Sequence, residues 1–161
     1  MEICKASAAD FDSIWPVFHT VVAAGTTYPY DPATTKNQAR HLWMEIPLAT
    51  YLAREEGETL GTYYIKPNQP GLGAHICNCG YMVAPDARRQ GLGRMLCLHS
   101  LDTARELGFL AMQFNLVIST NTVAVRIRQQ LGFTRIGTIP QAFNHNEYGL
   151  VDAHIMHRQL V

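Results

Sequence analysis

A short turn that combines two glycines with three arginines is the strongest chemical signal in the sequence. It reads Arg88-Arg89-Gln90-Gly91-Leu92-Gly93-Arg94, and it lies between an apolar segment and a long amphipathic one. Glycine allows backbone N–H groups to approach a ligand closely, and a helix N-terminus adds unpaired donors and a positive dipole end. The arginines supply charge that suits an anion. The spacing predicts a pyrophosphate-binding turn, with an ordinary basic strand-to-helix turn as the alternative.

Other nucleotide-binding turns have a different spacing. A dinucleotide fingerprint needs Gly-x-Gly-x-x-Gly and a Walker loop needs Gly-Lys-Ser/Thr, and this turn has neither. The order Arg-x-x-Gly-x-Gly instead resembles the acetyl-coenzyme A loop of the GCN5-related N-acetyltransferases, the GNAT family. This resemblance implies acetyl-CoA as the co-substrate. The residues it implies for binding acetyl-CoA are Met82, Val83, Arg88, Arg89, Gln90, Gly91, Leu92, Gly93, Arg94, Asn121 and Arg128.

A second motif lies about 30 residues further along the chain. Residues 121–133 are similar to the GNAT pattern Asn-x-x-Ala-x-x-Leu-Tyr-x-x-Leu-Gly-Phe. Asn121 can cap the helix, and in the family this Asn also contacts the cofactor. Arg128 stands where many members have a Tyr that protonates the departing thiolate, and a guanidinium is a poor proton donor. Three explanations stay open: water or another side chain protonates the thiolate, Arg128 stabilises it electrostatically, or Arg128 is an exposed residue without a catalytic role.

The segment that leads into the glycine turn carries no carboxylate, although family members often place a catalytic Glu there. The resemblance implies that the backbone of Met82 and Val83 pairs with the pantetheine arm and the acetyl carbonyl. Asn78 lies near the expected position of the Glu but cannot accept a proton. His75 has a suitable pKa for a general base, and a chain of water molecules is the alternative. No metal site is expected from His75, Cys77 and Cys79, because alternate strand residues lie about 6.6 Å apart while zinc–donor distances are about 2.0–2.3 Å.

Asn115 is a polar residue within an otherwise apolar strand, and Gln113 lies on the same face. A mid-strand amide must find hydrogen-bond partners. If this face borders the cofactor cleft, Asn115 donates to the developing oxyanion or holds a substrate carboxylate; otherwise it is a satisfied core amide. The segment 114–117, with an Asn soon after it, also looks like a GNAT subgroup that includes fungal amino-acid acetyltransferases.

Two loops are expected to form the walls of the acceptor site. Tyr28 and Tyr30 lie in a proline-flanked loop, where they can cover the acceptor. A polar loop is predicted over residues 140–149, and its Glu147 could attract an ammonium group. Together with Asn78 and Asn115, these residues are the predicted substrate-binding set.

The alternation of predicted helices and strands indicates an α/β layer architecture. The order β–α–α–β–β–β–α–β–α–β–β is also that of GNAT proteins. The resemblance therefore implies a central mixed, mostly antiparallel sheet, splayed between strands 4 and 5 and flanked by helices, in a single domain over residues 1–161. Pro16 predicts a boundary or kink in the first helix.

Composition limits the classes of partner. Thirteen basic residues balance thirteen acidic ones among 161, so bulk charge does not favour nucleic acid or an anionic membrane. No apolar run approaches the roughly 18 residues of a membrane span. The four cysteines lack the spacing of a disulfide framework, and the N-terminus lacks a signal-peptide pattern; both favour a cytoplasmic protein.

These features predict an acetyl-CoA-dependent N-acetyltransferase that acts on the primary amine of a small molecule or amino acid. The amine would attack directly in a ternary complex. A protein N-terminus or lysine is the alternative acceptor, and a non-catalytic acyl-CoA sensor is the alternative from another class. The apolar last strand would permit a homodimer.

Overall fold

The computed structural model describes residues 1–88 and 90–161, and it contains seven strands and four α-helices in that part of the chain. In chain order these are β1 Glu2–Lys5, α1 Phe11–Ala24, α2 Lys36–Arg40, β2 Ala49–Glu55, β3 Glu58–Pro67, β4 Ile76–Val83, α3 Leu92–Glu106, β5 Ala111–Ile118, α4 Thr122–Gln130, β6 Thr134–His145 and β7 Gly149–Gln159. A π-helical turn, His41–Glu45, continues α2. The α/β fold and the element order expected from the sequence are confirmed.

The strands form one mixed sheet in the order β1-β2-β3-β4-β5-β7-β6. All neighbouring pairs are antiparallel except β4 and β5, which are parallel. These two strands pair only at Ile76 with Ala111 and at Cys77 with Met112. Immediately beyond, Asn78 Nδ2 donates to the Gln113 carbonyl at 3.0 Å. The splay between strands 4 and 5 is therefore present, and it opens toward the glycine turn.

Helices cover both faces of the sheet. On one face, α1 buries an apolar stripe that includes Phe11, Ile14 and Phe18 against Trp43 and β-strand residues. This spacing of three and four residues places the side chains on one side of the helix. The helix continues through Pro16 without a boundary. On the other face, α3 packs Leu96 and its apolar neighbours into the second core cluster.

The prediction of a loop over residues 140–149 is wrong. In the structure β6 continues to His145 and pairs with β7, including Phe143 with Val151. A register shift between Ile139 and Phe143 accommodates Pro140. β6 is the last strand of the sheet, where a residue without an N–H costs little, so a proline and polar side chains are compatible with a strand there.

Across residues 1–88 and 90–161, every helix is too short or too polar to cross a membrane.

Candidate functional site

A cavity of about 750 Å³ fills the splay between β4 and β5. The α1–α2 loop and the N-terminal turns of α3 and α4 line it together with the two strands. Most of the residues expected from the sequence to bind ligands line this cavity. They are Tyr28, Tyr30, Asn78, Met82, Val83, Arg88, Gly91, Leu92, Gly93, Arg94, Asn115, Asn121 and Arg128. The topology therefore brings together residues that are separated by up to 100 positions in sequence.

The glycine turn presents the N-terminus of α3 to the cavity. Gly91 is the N-cap in the left-handed conformation, with φ of 74°, and no side chain caps the helix. The first intrahelical bond there is donated by Met95 to Gly91, so the N–H groups of residues 92–94 have no acceptor within the helix and are suited to an anion. Gln90 is exposed and does not line the cavity. Arg89, also expected to bind the cofactor, lies outside the described residues.

The free edge of β4 contributes backbone groups to the cavity. Ala84 donates its N–H to the Leu60 carbonyl of β3, and alternate residues of an antiparallel strand bond on the same side. The backbone N–H and C=O groups of Met82 therefore point toward β3, where Met82 pairs with Thr62. Tyr81 and Val83 direct theirs toward the splay, and Tyr28 Oη donates to the Tyr81 carbonyl at 3.0 Å. The backbone role expected of Met82 is thus wrong, whereas that of Val83 agrees with the geometry.

Aromatic contacts hold the α1–α2 loop over the cavity. Tyr28 stacks on Tyr30 with 5.6 Å between ring centres, and Tyr30 stacks on Phe18 at 5.7 Å. A Cβ at Gly80 would lie 2.7 Å from Tyr28 Oη and 2.6 Å from Tyr64 Cε1. The loop can approach β4 this closely because residue 80 has no side chain.

A network of side-chain amides lies at the end of the cavity farthest from the glycine turn along β5. Asn115 Nδ2 donates to Asn68 Oδ1 at 2.7 Å, and its Oδ1 accepts from Gln113 Nε2 at 3.1 Å. Asn115 is exposed, so the interpretation as a core amide is wrong. A register shift of β5 against β7 falls between Phe114 and Val117, so Asn115 lies within this irregular stretch. One of its two N–H groups is still available to a ligand.

The charges of the cavity are of one sign. Four lining residues are cationic: Lys66, Arg88, Arg94 and Arg128. No aspartate or glutamate is found among the described lining residues. Lys66 Nζ lies 5.2 Å from the centre of the Tyr64 ring, and the two residues extend the wall from β3. The cavity therefore favours anionic groups along its whole length.

Burial keeps the tyrosines of the cavity protonated. Burial raises the pKa of Tyr28 and of Tyr81 well above the usual range, and the nearby Arg128 charge opposes this shift at both. Burial also raises the pKa of Tyr64. All three phenols are therefore neutral hydrogen-bond donors at physiological pH.

Two predicted site residues lie elsewhere. His75 is exposed in the turn before β4 and does not line the cavity, so the structure does not bring this predicted general base together with the other site residues. Glu147 is exposed in the β6–β7 turn, where its N–H bonds to His145 Nδ1 at 3.0 Å. It too lies outside the cavity lining; the turn that carries it bonds to the end of α1, where the Asn146 N–H donates to the Gly25 carbonyl at 2.9 Å.

Sequence reasoning missed the contribution of β3. Tyr64 and Lys66 follow alternate positions of that strand, and Tyr64 pairs with Gly80 in the sheet. The alternating pattern of β3 could have placed both on one face. Their position at the cavity depends on the β3–β4 register, which no local motif reveals.

Comparisons with known proteins agree with this geometry. The chain matches the family described as Acetyltransferase (GNAT) family over residues 13–133. It is 37% identical over 151 residues to N-acetyltransferase aca1 of Schizosaccharomyces pombe, a match that covers 83% of this chain and 72% of that protein. It is 47% identical to a GCN5-related N-acetyltransferase of known structure from Kribbella flavida, with a TM-score of 0.92 and coverage of 98% and 96% of the two chains.

A more distant structure shares the fold alone. It is a GNAT superfamily phosphinothricin acetyltransferase from Sinorhizobium meliloti in complex with acetyl-CoA, 18% identical with a TM-score of 0.86, and the match covers 98% of this chain and 87% of that one. The free helix N-terminus, the basic residues beside it and the open edge of β4 fit a pyrophosphate with an extended arm. The chain belongs to the GNAT family of acetyltransferases, whose co-substrate is acetyl-CoA.

Proposed function

We propose that the protein acetylates the primary amine of a small molecule that also carries a carboxylate, such as an amino acid. The observation that carries this proposal is the charge at the amide end of the cavity. Lys66 and the free N–H of Asn115 are donors there, and the described lining residues contain no carboxylate that would attract a second ammonium group. A polyamine or an aminoglycoside would meet repulsion at this end.

The closed wall over the cavity favours a small acceptor over a protein. The Tyr28–Tyr30 loop is fixed by its stacking and by the bond to the Tyr81 carbonyl. A peptide acceptor would need an open groove beside Asn115, and because that side chain is exposed, peptides are tested beside the small amines. One solved structure with this fold, 22% identical, is a ribosomal-protein-alanine N-acetyltransferase from Brucella melitensis. A protein acceptor is therefore the alternative to be tested.

The residues of the chain divide the reaction among three tasks. Bound acetyl-CoA supplies the activated acetyl group. The α3 N-terminus holds the pyrophosphate, and the Val83 N–H polarises the acetyl carbonyl. Asn115 donates to the acceptor or to the developing oxyanion. The described cavity lining offers no carboxylate or imidazole, so the amine arrives neutral and releases its proton to water.

A panel of matched amines tests the acceptor class. Thiol release is measured with amino acids, with their carboxamides and with polyamines. The carboxamide keeps the primary amine and replaces the carboxylate with a neutral amide. When both are compared above the pKa of their amines, we expect the kcat/KM of the carboxamide to be lower by about tenfold or more. Lys66→Gln should abolish this preference, and Lys66→Arg should retain it.

Two results would contradict the proposal. Equal rates for amino acids and their carboxamides would remove the carboxylate from the substrate definition. Binding of acetyl-CoA without thiol release for any amine or peptide would favour a non-catalytic sensor.

A further inference from the structure

Among the described residues, Arg128 is a cation without a counter-ion inside the splay. It lies in the last turn of α4, and its guanidinium carbon is 4.4 Å from the centre of the Phe114 ring and 5.7 Å from that of Tyr81. Its Nε is buried and has no hydrogen-bond partner among the described residues. Arg128 is half-buried, so the interpretation as an exposed helix residue is wrong.

Other partly buried arginines of the described chain have partners. Arg54 also has an unpaired Nε, but its Nη2 pairs with Asp10 at 3.0 Å. Arg158 donates to the Leu131 carbonyl. None of the ion pairs between described residues includes Arg128. Removing a charge from water without a partner costs several kcal/mol, so the site is suited to an anion that arrives from outside the chain.

The position of Arg128 indicates which part of the ligand meets it. Phe114 and Tyr81 lie on β5 and β4 where the strands have separated. The Arg128 charge also opposes the effect of burial on the pKa of Tyr28, which lies at the acceptor end. The pyrophosphate already has the free N–H groups of α3 and the arginines beside it. Arg128 therefore faces the reactive end of the pantetheine arm, where sulfur becomes negative during the reaction.

We infer that Arg128 is a catalytic residue that stabilises the coenzyme A thiolate as a fixed positive charge, a role that rests on the proposed acetyl transfer. The amine nitrogen forms a bond to the acetyl carbon, the carbon–sulfur bond breaks, and its electron pair stays on sulfur. The amine proton passes to water. The leaving group departs as a thiolate paired with Arg128, and solvent protonates it afterwards, so no side chain has to act as the acid.

The pKa of the thiol in bound coenzyme A tests this role without an acceptor. It is measured from the ultraviolet absorbance of the thiolate as a function of pH, with coenzyme A bound to the wild type, to Arg128→Gln and to Arg128→Lys. We expect the wild type to hold the thiol pKa about one unit or more below that of free coenzyme A. Arg128→Gln should remove the shift, and Arg128→Lys should keep part of it.

Turnover and a thiol-free ligand complete the test. From the sequence alone, we expect Arg128→Ala to lower turnover by less than about tenfold. Because the structure shows an unpaired charge at this position, we expect Arg128→Gln to lower turnover by about tenfold or more. Calorimetric binding of desulfo-coenzyme A should not change in Arg128→Gln, because that ligand lacks the sulfur. Tyr28→Phe is the matched control, because it tests whether the Tyr28 phenol, instead of solvent, protonates the thiolate.

The outcomes separate the inference from the proposed function. An unchanged thiol pKa in folded Arg128→Gln, or a large loss of turnover in Tyr28→Phe only, would overturn the inference. Equally weakened binding of desulfo-coenzyme A would assign Arg128 to the pyrophosphate instead. A shifted thiol pKa without acetyl transfer to any amine would contradict the proposed function and leave the thiolate contact in place.

Discussion

Single residues of the glycine turn act through the space they leave for a ligand. A Cβ at Gly93 would meet only Ile127 Cδ1, at 3.8 Å, which is an ordinary contact. Packing within the protein therefore does not require glycine at this position. We therefore expect the requirement to come from the close approach of the pyrophosphate to the backbone.

Gly93→Ala should therefore leave the free protein folded but weaken acetyl-CoA binding by about tenfold, and Gly93→Val should weaken it further. Calorimetry measures the affinity, and melting reports the fold. Gly137→Ala is a matched control, because its added Cβ would lie 3.7 Å from Ile155 Cδ1 and outside the cavity lining. Normal affinity in folded Gly93→Val would show that the turn does not hold the pyrophosphate.

Asn115 allows a clean separation of stability from activity. Because the side chain is exposed, Asn115→Ala should change the free energy of unfolding by less than about 0.5 kcal/mol. Loss of one donor to an oxyanion typically lowers turnover by about 10² to 10³. Steady-state kinetics and melting on the same variant measure both quantities. A lowered melting temperature with normal turnover would assign Asn115 a structural role only.

At the scale of elements, the contact between the α1–α2 loop and β4 depends on Gly80. Gly80→Ala places a Cβ within 2.6 Å of Tyr64 and 2.7 Å of Tyr28 Oη. The loop must move away, so we expect a loss of about 1–3 kcal/mol of stability and a higher KM for the acceptor. Tyr28→Phe removes only the bond to the Tyr81 carbonyl and is the milder comparison. An unchanged acceptor KM in Gly80→Ala would indicate that the loop does not contact the substrate.

The elements also explain which parts of the site could be predicted from sequence. The glycine turn and the Asn121 cap are local, so their spacing is sufficient: Asn121 Oδ1 accepts the Ala124 N–H at 3.3 Å, as a capping residue should. Lys66 reaches the cavity through the register of β3 with β4, and the pairing of β6 with β7 places Glu147 in the turn between those strands, outside the cavity lining. Pairing between distant strands sets these positions, and a single sequence does not reveal which strands pair or in which register.

For the whole molecule, we expect the partly buried His99 to make stability depend on pH. Burial lowers the pKa of His99, and the negative charges of Asp102 and Glu106 oppose this shift. The Nδ1 atom of His99 lies 2.7 Å from Tyr63 Oη. The unfolded chain binds a proton at a higher pH than the folded protein does. The contribution of His99 is therefore complete above its ordinary pKa of about 6.5 and is lost as the pH falls through the lowered folded value.

The free energy of unfolding should accordingly decrease between about pH 7 and pH 5. Denaturant titrations at several pH values measure it, and His99→Gln should reduce the slope of this part of the profile, to which His154, whose pKa is also lowered by burial, contributes the remainder. His41→Gln is a control, because that side chain is exposed and paired with Glu45 at 2.8 Å. A profile that His99→Gln leaves unchanged would exclude His99 as its source.

The separation of β4 from β5 divides the backbone pairing of the sheet into two units. One contains β1 to β4, and the other contains β5, β7 and β6. Among the described residues, two residue pairs, the bond from the Leu110 N–H to the His75 carbonyl and one side-chain amide bond link them. A pantetheine arm that bonds to the edges of both units acts as an additional strand between them. Amide hydrogens along both edges should therefore exchange much more slowly when coenzyme A is bound, and the two units should then unfold together.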